Sequence, residues 1–237
     1  MVEKYKSNLD FLLTKKGGPK ASLFLFLDVF MEWIKLKEHQ EYQEAMSLME
    51  KSLQEVIMGS TEVIYSLEHS DVYTAGVSAK AEELLNPGNI PVYATGRGGK
   101  YTYHGPGQLV IYPIISLQKH NLDLHTYVRN LEQIIINSLA LIDIAAFTIH
   151  GKVGIWVTPH NQSLPKKIAA IGIRVKKWVT YHGIAINVNS DLSKFDGIIP
   201  CGISQFGITS IEDMGVKITL EKFEQIVQKE FVKVIPF

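Results

Sequence analysis

The sequence predicts an α/β fold of the α+β type, a mixed or antiparallel sheet packed by helices. Three observations predict it. Three segments carry apolar residues at helical spacing. Between them lie short apolar or alternating runs bounded by Gly, Pro and Asn, the pattern of strands. The strand runs also follow one another instead of alternating strictly with helices, which disfavours a doubly wound parallel sheet.

The first helix is marked by Tyr42, Ala45, Met46, Met49, Leu53, Val56 and Ile57, which form one stripe. A strand follows at Val63 to Leu67 and another at Leu109 to Ile115. The second helix carries Leu124, Tyr127, Val128, Leu131, Ile135 and Leu139, with Asp123 placed to cap it. Further strands read as Val153 to Val157, Ile168 to Val175 and Val179 to Val188. Lys176-Lys177-Trp178 separates the last two and suggests a hairpin. Thr219 caps a third helix bearing Leu220, Phe223, Val227 and Phe231.

The composition bounds the function. A chain of 237 residues can bury a sizeable core, and no linker-like stretch divides it. Residues 31–237 therefore read as one catalytic domain, preceded by an extension over residues 1–30. Basic and acidic residues balance at 24 each, which argues against a chain-wide grip on nucleic acid. Lys15, Lys16 and Lys20 precede an apolar run from Ala21 to Phe30, the order found in signal peptides, but no small-x-small cleavage site follows. The run is too short, and interrupted at Asp28, to span a bilayer. The single cysteine forms no intrachain disulfide and suits a reducing cytoplasm. The eight histidines contain no His-x3-His pair, so no metal is expected.

Four segments carry the chemistry. Cys201 lies in Ile198-Ile199-Pro200-Cys201-Gly202-Ile203, where Pro and Gly flank it in a restricted, uncrowded turn. It reads as a small buried apolar residue or as a nucleophile. Gly96-Arg97-Gly98-Gly99-Lys100-Tyr101-Thr102-Tyr103-His104-Gly105-Pro106-Gly107-Gln108 has neither the phosphate-loop ending nor the dinucleotide spacing. It reads as a hairpin loop with incidental polar groups, or as a site where backbone approaches a ligand and Arg97 meets an anion. Lys166 to Arg174 sets small residues, Ala169, Ala170 and Gly172, in a strand that starts with two lysines. Tyr181-His182-Gly183-Ile184-Ala185-Ile186-Asn187 interrupts an apolar strand with a His-Gly step. By themselves Lys167 reads as a solvated charge and His182 as a hydrogen-bonded structural histidine.

Together these segments resemble the octanoyltransferase family of lipoate biosynthesis. The resemblance rests on Leu67-Glu68-His69, on Arg97-Gly98-Gly99 through Tyr103-His104-Gly105-Pro106-Gly107-Gln108, on Lys167 to Arg174, on His182 to Asn187, and on Phe195-x4-Pro200-Cys201-Gly202-Ile203. It runs from about Trp33 to the C-terminal helix. It implies the catalytic fold shared with lipoate and biotin protein ligases, and transfer of an octanoyl group from acyl carrier protein to a lysine of lipoyl domains. The acceptors it implies are the lipoyl domains of 2-oxoacid dehydrogenase complexes and the glycine cleavage H protein. By position it makes Cys201 the acyl-thioester nucleophile and Lys167 the lysine that activates it. Arg97, Gly98, Gly99, Lys100, Tyr101, Thr102, Tyr103 and His104, with Ala170, Ile171, Gly172, Gly183, Ile184 and Ala185, match substrate-contacting positions, and His182 is a supporting candidate. No cofactor is implied beyond the phosphopantetheine that carries the donor.

The residue types suit this chemistry. A free thiol with a pKa of about 8.5 is only about 3% ionised at pH 7, and the thiolate is the nucleophile. A nearby ammonium favours the thiolate; a neutral amine instead takes the proton directly. The rival expectations are an ATP-dependent lipoate or biotin ligase on the same fold, a non-catalytic lipid-binding relative, and a thiol hydrolase using His104 or His182.

Overall fold

The computed structural model describes residues 3–5, 31–160, 162–199 and 206–235. Among the described residues, eleven strands form two sheets, accompanied by three α-helices. The strands are β1 (Glu3–Tyr5), β2 (Met31–Gln40), β3 (Glu62–His69), β4 (Val72–Ala75), β5 (Val92–Ala94), β6 (Tyr101–His104), β7 (Gln108–Ile114), β8 (Ala146–Ile149), β9 (Lys152–Val157), β10 (Lys166–Lys176) and β11 (Val179–Asn187). The helices are α1 (Tyr42–Ile57), α2 (Leu124–Ala140) and α3 (Leu220–Val234).

The large sheet runs β1-β2-β3-β7-β11-β10-β9-β8. Only β2 and β3 pair in parallel in it, and α1 is the crossover that a parallel pair requires. A small sheet, β5-β4-β6, stands apart. The expected α+β class with a mixed sheet is thus the observed one. The three expected helices form with bounds close to the predicted stripes. Asp123 accepts from the Thr126 N–H and Thr219 from the Lys222 N–H, so both expected caps are made. Leu124 differs: at the first position of α2 it is 41% exposed, because the helix turns its apolar stripe inward only from Tyr127 on.

Strand alternation divides the core in two. Ile64, Leu109, Ile111, Ile184 and Ile186 face α2 and α3, while Val63, Tyr65, Val110, Tyr112 and Ala185 face α1. His182 breaks this rule. Its backbone is left-handed, at φ 58°, and its ring sits beside Tyr181 and Tyr112 on the α1 side, not with its neighbour Ile184. The amide of His182 then donates to the Met49 sulfur on α1 at 3.0 Å. The expected hairpin forms with a two-residue turn, Lys177 and Trp178, both at positive φ.

The sequence patterns do not mark β1, β2, β4, β5, β6 or β8. Strands β4 to β6 are three or four residues long and rich in Tyr and Thr, and they fold around a small core of Tyr73, Tyr103, Phe195 and Ile198. Strand β2 has apolar residues on both faces, with Trp33 in the α2–α3 layer and Ile34 and Leu36 in the α1 layer, so it lacks clean alternation.

Gly183 follows the strained His182 and has no room for a side chain. A Cβ there would stand 1.8 Å from the Ile111 carbonyl oxygen on β7, in the middle of the sheet. Gly183→Ala is expected to cost about 2–4 kcal/mol, as a forced backbone shift in a packed core does, and to lower the urea midpoint of unfolding accordingly.

Candidate active site

The hairpin β10–β11 forms one wall of a cavity of about 320 Å³, near the lower end of the ~300–1,000 Å³ common for small-molecule sites. Its wall is lined with paired small residues, Ala170 opposite Ala185 and Gly172 opposite Gly183. Val110 and Tyr112 of β7, Tyr42 of α1, Thr102 and His104 of β6 and the Gly98–Lys100 turn line the rest, with Gly151, Lys152 and Val153 across the opening. The cavity thus gathers Arg97, Gly98, Gly99, Lys100, Tyr101, Thr102, His104, Lys167, Ala170, Ile171, Gly172, His182, Gly183, Ile184 and Ala185 from three separate stretches of sequence. Tyr103 is not among them. Its ring lies in the small sheet's core, where it packs on Tyr73 and Phe195 and donates to Asp71 at 2.6 Å. Cys201 lies outside the described residues.

Lys167 is buried, with 5% exposure. A bulge between Lys167 and Ala169 re-aims the start of β10. Its ammonium donates to the Val153 carbonyl at 2.9 Å and sits 4.8 Å from the centre of the Trp156 ring. Gly154 makes this possible. At φ 117° it has no Cβ, and one built there would stand 3.3 Å from Lys167 Nζ and 2.7 Å from the Ala169 carbonyl.

Arg97 holds the Gly-rich turn in shape. Its Nη2 donates to both the carbonyl and the hydroxyl of Thr74, each at 2.7 Å, and its Nη1 to the Gly98 carbonyl at 3.0 Å. Arg97 also lines the cavity, at the position where the sequence suggests a meeting with an anion. Gly172 lets the arginine lie flat: a Cβ there would approach Arg97 Cδ to 3.1 Å.

Three neutral histidines surround this cation. Burial is the largest cause in each case. It lowers His69 to about 4, and lowers His182 to about 4 with help from Arg97 and Arg174. It holds His104 well below the ordinary range, with His69 and Arg97 adding to the effect. The tautomers follow from the partners. His69 Nδ1 lies 3.0 Å from the Gln40 carbonyl, which can only accept, so Nδ1 carries the proton and Nε2 accepts from the Tyr112 hydroxyl at 2.8 Å. His104 Nδ1 donates to Gln108 Oε1 at 2.7 Å, and the Gln108 amide donates to Asn187 Oδ1 at 2.9 Å. Asn187 in turn donates to the Thr209 carbonyl at 3.0 Å.

The described residues on either side of the segment 200–205 are hydrogen-bonded to the rest of the fold. Before it, the Ile199 amide donates to the Glu83 carbonyl at 2.7 Å, and Glu83 is ion-paired with Lys100. After it, the Lys167 amide donates to the Gly207 carbonyl at 2.9 Å and the Thr209 amide to the Lys167 carbonyl at 3.0 Å. Sequence reasoning missed Thr74, Tyr42, Tyr112, Glu83 and Gly154. Only Gly154 carries a signal, a glycine inside an apolar strand, which marks close backbone approach. Among the described residues no cluster of His, Cys, Asp and Glu forms a metal site, and no helix is long and apolar enough to cross a membrane.

The lipoyl protein ligase A/B catalytic domain matches residues 41–232, which includes every element of this cavity. The chain belongs to this family. Within it, the chain sits with the octanoyltransferases, which are acyltransferases. It is 53% identical over 207 residues to the octanoyltransferase of Rickettsia bellii, covering 86% of this chain and 99% of that one. Solved structures share the fold at low identity. One is a lipoate-protein ligase A bound with ATP, with a TM-score of 0.67 at 18% identity over 84% of each chain. Another is a bipartite lipoate protein ligase of Thermoplasma acidophilum, described with its E2 lipoyl domain, with a TM-score of 0.63 at 16% identity over 83% of this chain and 81% of that one.

Two predictions follow from this geometry. Gly154→Ala is expected to displace the Lys167 ammonium and, on the catalytic role proposed for Lys167, to lower kcat by an order of magnitude or more, since misplacing a reacting group by about 1 Å costs ~100-fold. Gly59→Ala is the control: it has a similar positive φ of 99° but open space around it, so it costs stability and leaves kcat unchanged. The histidines predict an acid-labile fold. Unfolded, each protonates near 6.5, whereas folded His69 and His182 stay neutral down to about 4. Their contribution is therefore complete above pH 6.5 and is lost as pH falls towards 4. Each removes up to about 1.4 kcal/mol per pH unit, so the urea midpoint is expected to drop steeply between pH 6.5 and 5.

Proposed function

We propose that this octanoyltransferase takes its octanoyl group from octanoyl-acyl carrier protein, holds it as a thioester on Cys201, and passes it to the lysine of a lipoyl domain. The observation that carries this reading is the double role of Lys167. Its ammonium borders the cavity, while its main chain binds Gly207 and Thr209, just beyond the Cys201 segment. That arrangement favours a short path between amine and thiol.

In the first half-reaction the Cys201 sulfur attacks the thioester carbonyl, with Lys167 stabilising the thiolate or taking the thiol proton. The tetrahedral intermediate collapses, and the carrier's phosphopantetheine sulfur leaves with a proton. In the second, the acceptor lysine amine attacks the Cys201 thioester, loses a proton and forms an amide, and the Cys201 sulfur leaves. One thioester replaces another, and then an amide replaces a thioester, so neither ATP nor a cofactor is required. Ping-pong kinetics follow from the covalent intermediate. The small residues of β10 and β11 suit a straight, slender acyl chain.

The lipoyl-domain acceptor is supported by the Thermoplasma acidophilum protein, which is paired with such a domain. The glycine cleavage H protein is a further acceptor of the same kind. Residues 31–237 act as one catalytic domain behind the 1–30 extension, and a reducing cytoplasm keeps the lone thiol available.

Intact-protein mass after mixing with octanoyl-carrier protein tests the cycle. Wild type is expected to gain one octanoyl group and lose it on addition of lipoyl domain. Cys201→Ala is expected to gain nothing, and Lys167→Met to acylate at least 100-fold more slowly, as loss of acid–base assistance does. Transfer by Cys201→Ala that depends on ATP and free octanoate would instead establish the ligase chemistry of the ATP-bound structural neighbour.

A further inference from the structure

The tip of the β10–β11 hairpin combines three features that its fold does not need. Trp178 is 52% exposed, large and apolar. Lys177 and Trp178 both sit at positive φ, 48° and 65°, in a two-residue turn where Asn-Gly would sit without strain. Lys176 and Lys177 are exposed beside the tryptophan. The Leu117 amide donates to the Trp178 carbonyl at 2.8 Å, so the segment that carries exposed Lys119 starts beside the turn. In a chain of zero net charge this is a concentrated basic patch with an aromatic at its centre.

The patch is continuous with the active site. Gly172 faces the cavity, so two-residue alternation along β10 carries the same face to Arg174 and then to Lys176. Arg174 is exposed and lies across Gly96, at the base of the Gly-rich turn, and over the Tyr181 ring. Glu50 of α1, which acts on Tyr181, marks the acidic boundary on the helix side. From Gly172 to the turn is five residues, or roughly 16 Å at about 3.3 Å per residue. A donor whose reactive thioester hangs on a long flexible arm can rest on the tip while the arm follows this basic row inward. The phosphate of that arm would travel beside Arg174.

We propose that the hairpin tip is the docking point for the carrier protein that presents the acyl thioester, through an acidic face of that carrier. The inference rests on the acyl-transfer reading above. Lysines supply charge complementarity to an acidic partner, and an exposed, rigidly presented tryptophan is a common anchor at interface centres.

The test compares two donors, octanoyl-carrier protein and octanoyl-pantetheine, with one lipoyl-domain acceptor. Lys176→Glu/Lys177→Glu is expected to raise KM for the carrier-bound donor about tenfold, with kcat retained and no change for octanoyl-pantetheine, because like charge now meets the acidic partner. Lys177→Asn/Trp178→Gly separates docking from folding. It relieves the turn, so its Tm is expected to rise while KM for the carrier-bound donor increases several-fold. Unchanged carrier KM in both variants overturns the proposal, as does an equal rise with octanoyl-pantetheine, or a rise confined to the acceptor domain. A wild-type protein that accepts octanoyl from neither donor overturns the acyl-transfer reading and this docking site together.

Discussion

A buried ammonium is the constraint on which the rest of the site depends. Removing a lysine head from water is costly unless polar groups replace its hydration. Here the replacement comes from the Val153 carbonyl and the face of Trp156, and the space comes from Gly154. The bulge before Ala169 supplies the aim. Because the same residue's main chain pins Gly207 and Thr209, the cation and the polypeptide leading away from Cys201 are positioned as one piece. Shifting β10 would move both together, which preserves their relation better than two independent anchors would.

The second constraint is steric. Side chains are missing along the wall where β10 meets β11, and the reasons differ from residue to residue. Gly183 is required by the Ile111 carbonyl of the neighbouring strand, and Gly172 by the flank of Arg97. Ala170 and Ala185, paired across the hairpin, leave space that none of the described residues occupies. What sequence alone presents as one run of small residues is two glycines required by close neighbours and two alanines, all four lining the cavity.

This difference also shows what was legible beforehand. The three helices were readable because their stripes are long and two carry side-chain caps, and the central strands because their runs are apolar. Most of the cavity was readable through the resemblance, since its residues fall in three compact stretches. Tyr103 shows the limit: a stretch of sequence has no faces until its strand is known, and in β6 Thr102 and His104 line the cavity while Tyr103 between them belongs to the small sheet's core. Thr74, Glu83 and Tyr42 were hidden because their roles exist only through distant partners. A threonine in a four-residue strand gives no sign that a guanidinium will close on it.

The polar chain behind the cavity has a direction. Arg97 gives hydrogen to Thr74, Thr74 to His104 over a long 3.4 Å contact, His104 to Gln108, Gln108 to Asn187, and Asn187 to the carbonyl of Thr209. One end is a cation that can only give and the other a carbonyl that can only receive. Every hydroxyl rotor, amide orientation and imidazole tautomer between them is therefore set by the ends. The dipoles align head to tail, as in a row of compass needles between two fixed poles. The wall behind the cavity thus presents one frozen electrostatic face, with each polar group held in a single orientation.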